Sequence, residues 1–203
     1  MNKIDEIKKY ANEIVKPWFD NAPTGQGKPL KNYTSGDGDH VGFEAITEKI
    51  IRYALSVYGL DTRSEINGDY FVDETGTYDN QRMDNHVWID GKVVIVEENR
   101  AWIDKPFYTL KRAVVKSFME LPHVKKHLSH NVVFLFTSLA KDVTPITEST
   151  SERVFGHGDR IKNINFSGKP RRNNKGNYFA HGYDQEELNN YVETLCGVFS
   201  KYE

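Results

Sequence analysis

Three charged residues on two strand-like runs could carry chemistry: Asp84 in "QRMDNHVWI", and Glu98 and Arg100 at the end of "KVVIVEENR". Val93, Val94, Ile95 and Val96 are four consecutive β-branched residues, a pattern that a strand buried on both faces needs, so the charges that follow stand at the rim of a sheet. Asp90-Gly91 joins the two runs, and turn length decides which charges share a face. A two-residue turn pairs Ile89 with Lys92 and sets Asp84 on the face of Glu97. A three-residue loop with Gly91 left-handed pairs Trp88 with Lys92 instead. Asp84, Glu98 and Arg100 then share one face, with the two acids as diagonal neighbours about 7 Å apart. We adopt the second arrangement, in which two carboxylates can share one hard divalent cation. Mg²⁺ keeps several waters and is satisfied by two carboxylates and a substrate phosphate. The other parity selects Glu97 and Asn99.

The elements that must position these residues follow from periodicity. Residues 3 to 16 form an amphipathic helix stopped by Pro17, and the Gly-, Pro- and Asn-rich stretch after it is a long loop. From Gly42, "GFEAITEKIIRYALSVYG" places Phe43, Ile46, Ile50, Ala54 and Val57 on one helical face and ends at Gly59. Strands are expected at Ile66 to Val72, Gln81 to Ile89 and Lys92 to Asn99. A helix from Asp104 to Leu128, with Pro106 in its first turn, and a buried strand from Asn131 to Leu139 come next. Asp184 caps a last helix, with Glu187 three residues on. The order helix, strand, strand, strand, helix, strand predicts an α/β fold, an α/β/α sandwich around a central mixed sheet.

Composition narrows the class. The chain has 203 residues, 12% aromatic and 28% charged, which suits one folded domain without a linker. No apolar run follows the first basic residues, so neither a signal peptide nor a membrane span is expected, and the single cysteine, Cys196, leaves no disulfide framework. A cytosolic protein is the expectation. The seven histidines show no metal-ligand spacing. A net charge of -2 argues against nucleic-acid binding by whole-protein field. Charge is nonetheless uneven: from His157 to Tyr178, six Lys and Arg face one acid, Asp159.

Asp84 followed by "VVIVEENR" resembles the signature of the PD-(D/E)xK nuclease superfamily, an acid on one strand and then an apolar strand ending in Glu-x-Lys. Within it the chain most resembles type II restriction endonucleases, over residues 42 to 139. Met83 stands where that family usually has proline, and Arg100 where it has lysine. The resemblance implies the αβββαβ core, a prokaryotic cytoplasmic protein, and Mg²⁺ held by Asp84 and Glu98. It places Arg100 beside the attacked phosphate and Glu44 as an auxiliary acid on the preceding helix. Arginine stays protonated, so Arg100 can stabilise charge on the phosphate but cannot accept a proton. Each residue also has a plainer use: Glu98 and Arg100 as a surface ion pair, Glu44 as an early-helix acid favoured by the helix dipole.

The basic arm, about residues 157 to 178, supplies DNA-reading candidates: Arg160, Lys162, Asn163, Lys169, Arg171, Arg172, Asn173 and Lys175. Arginine offers a bidentate fork to guanine, asparagine one to adenine, and lysine suits phosphates. The resulting expectation is a homodimeric, Mg²⁺-dependent, sequence-specific endonuclease acting on double-stranded DNA. A non-cleaving DNA-binding protein on the same fold, for which Arg100 is the best evidence, and a repair or junction nuclease are the alternatives.

Overall fold

A computed structural model describes residues 2–21, 43–67, 70–72, 78–82, 85–100, 126–138, 160–166, 171–172, 178–179 and 184–203. Helix α1 spans Lys3–Asn21 and passes through Pro17. The expected stop at residue 16 is therefore corrected. Proline removes one helical N–H bond, but Ile7, Ala11 and Val15 are fully buried in the core on the turns before it, and that packing anchors the helix. Helix α2, Phe43–Val57, ends as expected. Gly59 takes φ +68°, while its N–H bonds to Ser56 O and that of Leu60 to Leu55 O, a pattern that closes the last turn.

The expected first strand is two, β1 (Ser64–Asn67) and β2 (Tyr70–Val72), and the second is likewise split into β3 (Tyr78–Arg82) and β4 (Asn85–Ile89). β2 and β3 pair with each other as a separate ribbon. The first run is divided between Asn67, where β1 ends, and Tyr70, where β2 begins. β5 (Lys92–Arg100) and β6 (Leu128–Ser138) match two expected strands, although β6 starts at Leu128, where the preceding helix was expected to end. Lys126 and His127 form a turn instead of helix, and residues 104–125 of that expected helix lie outside the described residues. β7 (Ile161–Asn165) lies within what sequence alone gave as a basic arm. The five-stranded sheet runs β1-β4-β5-β6-β7, antiparallel from β1 to β5 and parallel from β5 to β7. This is the mixed sheet of the expected α/β fold.

A last short ribbon pairs β8 (Arg171–Arg172) with β9 (Tyr178–Phe179), and helix α3 spans Gln185–Phe199. Asp184 caps α3 as expected, accepting from the N–H groups of Glu186 and Glu187 at 3.1 and 3.4 Å. The three helices among the described residues join one core with Val87, Ile89, Val94, Ile95, Leu135, Ile164 and Phe166 of the sheet side. Val93, Val96, Phe134 and Phe136 are equally buried but stand outside that cluster, so the sheet is covered on both faces. Strands apolar on both faces are what such burial demands. Among the described residues no helix is long and apolar enough to cross a membrane.

Candidate active site

The hairpin between β4 and β5 sets the site. Asp90 and Gly91 have φ of +51° and +71°, and Ile89 pairs with Lys92, so the turn has two residues. The expected three-residue loop is corrected. Arg63 secures the turn: its Nε donates to Asp90 Oδ1 at 2.9 Å, a second guanidinium N–H donates to Oδ2, and its carbonyl accepts the Asp90 N–H at 3.0 Å. The same guanidinium holds the Asp90 carboxyl below its usual range. A β-bulge then intervenes. Trp88 pairs with Val93 but Val87 pairs with Ile95, leaving Val94 as an extra residue. Beyond it His86 faces Val96 and Asn85 faces Glu97. Even positions on β4 therefore meet even positions on β5, the parity that the longer loop was invoked to provide.

Past the bulge, the helix-facing side of the sheet carries polar residues. Glu97 and Asn99 on β5 alternate with Glu98 and Arg100, and Asn99 pairs with Thr137 of β6. Glu97, Asn85, Asn99, Thr137 and Thr47 of α2 are all buried. Asn85 Nδ2 donates to Glu97 Oε2 at 2.8 Å and to Thr47 Oγ1 at 3.3 Å. Asn99 Nδ2 donates to Thr47 Oγ1 at 3.1 Å, and the Thr137 hydroxyl donates to Asn99 Oδ1. Together these bonds tie α2, β4, β5 and β6 at one point.

Glu97 is fully buried, and burial pushes its carboxyl up to about 7, against the pull of hydrogen-bonding groups on Asn85, Tyr191, Thr47 and Thr137. Glu97 Oε1 and the Tyr191 hydroxyl lie outside strict hydrogen-bond geometry among the described residues, yet are close enough to perturb each other. Burial, and then the Glu97 charge, raise the Tyr191 phenol well above its usual value.

The expected site residues fall as follows. Asp84 lies outside the described residues, immediately before β4. Glu98 and Arg100 belong to β5, where their backbone pairs with Phe136 and Ser138 of β6, and their side chains lie outside the described set. Glu44 is in the first turn of α2, its side chain also outside that set. Of the pair of the other parity, Glu97 accepts from Asn85 of β4 and Asn99 donates to Thr47 of α2. Among the described residues no group of three or more His, Cys, Asp or Glu could hold a metal ion.

Of the DNA-reading candidates, Arg160 is half-buried just before β7, Lys162 is exposed on β7 and Asn163 lies in the same strand. Arg171 and Arg172 form β8; Lys169, Asn173 and Lys175 lie outside the described residues. Thr47, Asn85 and Thr137 were missed from sequence. Only Thr47 left a signal, a hydroxyl among Ile46, Ile50 and Ile51 on the buried face of α2.

No protein-family model matches the chain, and no curated protein matches it. Among solved structures it is similar to a restriction endonuclease PspGI–substrate DNA complex, at 8% identity and a TM-score of 0.36, over 98% of this chain and 93% of that one. A likeness that distant says nothing of chemistry, which has to be read from this chain's own residues.

Proposed function

We propose that this protein is a Mg²⁺-dependent endonuclease that hydrolyses phosphodiester bonds of double-stranded DNA at a short specific site, as type II restriction endonucleases do, and that it works as a homodimer. Asp84 and Glu98 are the proposed metal ligands, Arg100 the phosphate-stabilising residue and Glu44 an auxiliary acid. The observation that supports this reading is the anchoring of the β5 end. Glu97 is bonded to β4, and Asn99 to both α2 and β6, inside the protein. Those two side chains are occupied as a scaffold, which leaves the alternate positions, Glu98 and Arg100, for chemistry.

Carboxylate oxygens are the donors Mg²⁺ takes, so the acids at this rim suit it in kind. A site here would rest on two carboxylates and the substrate phosphate. When bound, the cation would supply positive charge against the charge developing on the attacked phosphate. Arg100 adds a permanently protonated fork that binds phosphate oxygens and strengthens as charge builds. It cannot take the proton of the attacking water, which passes to another base such as the neighbouring phosphate. Lys162, Arg171 and Arg172, with the other basic residues of the arm, would hold the duplex.

A second reading makes Glu97 and Asn99 the active pair. It is favoured by the Thr47 bond that links Asn99 to α2, the helix carrying Glu44. Incubation with supercoiled plasmid and Mg²⁺, followed by a gel, tests the function. Discrete fragments support the restriction reading, while nicking at DNA shape features points to a repair nuclease. Intact but retarded DNA overturns cleavage and leaves a DNA-binding protein.

A further inference from the structure

Thr47 is fully buried, yet its oxygen accepts from the side-chain amides of Asn85 at 3.3 Å and Asn99 at 3.1 Å. Asn85 opens β4, and Asn99 is the penultimate residue of β5. Asn99 also accepts from Thr137 of β6, and Asn85 donates to Glu97. One hydroxyl thus joins the two strand ends at which the proposed chemistry takes place, from a helix otherwise buried through Ile46, Ile50, Ile51 and Ala54. Apolar packing holds α2 on the sheet but is nondirectional; the Thr47 oxygen gives the helix a directional bond to both amides at once.

We propose that Thr47 is a positioning residue, which sets the relative placement of the start of β4 and the end of β5 for phosphodiester cleavage. It touches neither substrate nor metal, and acts through Asn85 and Asn99. Removing its oxygen leaves two buried amide N–H groups short of an acceptor, and they move to find others. A shift of strand ends by a fraction of an ångström is enough to slow a reaction that depends on orientation.

The inference rests on the endonuclease reading for its activity arm alone. Thr47→Val removes the oxygen at nearly constant shape, and Thr47→Ser keeps it. Single-turnover cleavage, DNA affinity without divalent metal, and amide hydrogen exchange along β5 are measured for both. For Thr47→Val, cleavage is expected to slow by about tenfold or more with affinity unchanged. Exchange at residues 97–100 should quicken relative to Val93–Val96, and Thr47→Ser should restore both. Three outcomes overturn the proposal: unchanged exchange in Thr47→Val, uniformly faster exchange along all of β5, or Thr47→Ser behaving as Thr47→Val. Should the wild-type protein cut no DNA, the endonuclease reading fails by itself. The exchange comparison then still decides whether Thr47 sets the strand ends.

Discussion

Asn85 and Glu97 stand directly opposite each other on β4 and β5, and the Asn85 side-chain amide donates to Glu97 Oε2 at 2.8 Å across the pair. This cross-strand bond lies inside the protein and fixes the register three residues beyond the bulge. The residues on either side, Asp84 before Asn85 and Glu98 after Glu97, are the proposed ligands, so the bond sets the stage for them.

Asp84→Ala and Glu98→Ala are each expected to abolish plasmid cleavage while preserving DNA affinity, or raising it without metal, since a lost carboxylate repels phosphate less. Gel cleavage and filter binding on the same preparations measure both. A dead Glu97→Ala beside a fully active Glu98→Ala would transfer the active pair to Glu97 and Asn99.

Arg100→Ala is expected to slow cleavage by about 10²–10³-fold with little change in affinity, because the contact strengthens chiefly in the transition state. Arg100→Lys should retain part of the rate, keeping the charge but losing the fork. Wild-type cleavage by Arg100→Ala would leave Arg100 as a structural ion-pair partner.

Glu97 makes stability depend on pH. Its carboxyl rises from 4.5 to about 7 on folding, so the folded state binds the proton more tightly than the unfolded chain. The stabilisation is present in full below pH 4.5 and is lost as pH rises through 7, a change of about 3 kcal/mol. Urea unfolding at pH 5 and pH 8 should show wild type losing most of that, roughly 2 kcal/mol, relative to Glu97→Gln, whose amide does not titrate. Equal pH slopes for the two proteins would show that Glu97 does not take up a proton on folding.

Neutralising Arg171 and Arg172 together is expected to weaken DNA binding and flatten its salt dependence, each lost phosphate contact lowering the log–log slope by roughly 0.9. If one of them reads a base, specificity should relax at a single base pair, at about 1–3 kcal/mol. Titrations at several salt concentrations separate these results, and unchanged affinity would make β8 a solvated ribbon.

What was legible in the sequence was local. The α2 stripe, the glycine at its end, the Asp184 cap and the Asp90-Gly91 hairpin all depend on residues within a few positions of one another. The bulge was not legible, since Val93, Val94, Ile95 and Val96 are all β-branched and look alike in either register. β7 was hidden because Lys162 and Asn163 read as a basic loop, while the burial of Ile161 and Ile164 comes from packing against distant segments. Pro17 misled because tertiary packing outweighs one lost hydrogen bond. Apart from Glu97, the Thr47 network is built from uncharged side chains of four separate elements, and no spacing in the sequence announces it.

The extra residue in β5 means that the length of this strand, and not its composition alone, chooses which acid is kept inside. Two glutamates stand in tandem, so deletion of Val96, beyond the bulge and with the bulge kept, would advance the register by one and offer Glu98 to Asn85 and Arg100 to Thr47 in place of Glu97 and Asn99. The inward slot would then receive a guanidinium where a neutral amide now bonds to two threonines. An insertion or deletion here acts as a frame change in the fold itself, exchanging interior and rim without altering a single side chain.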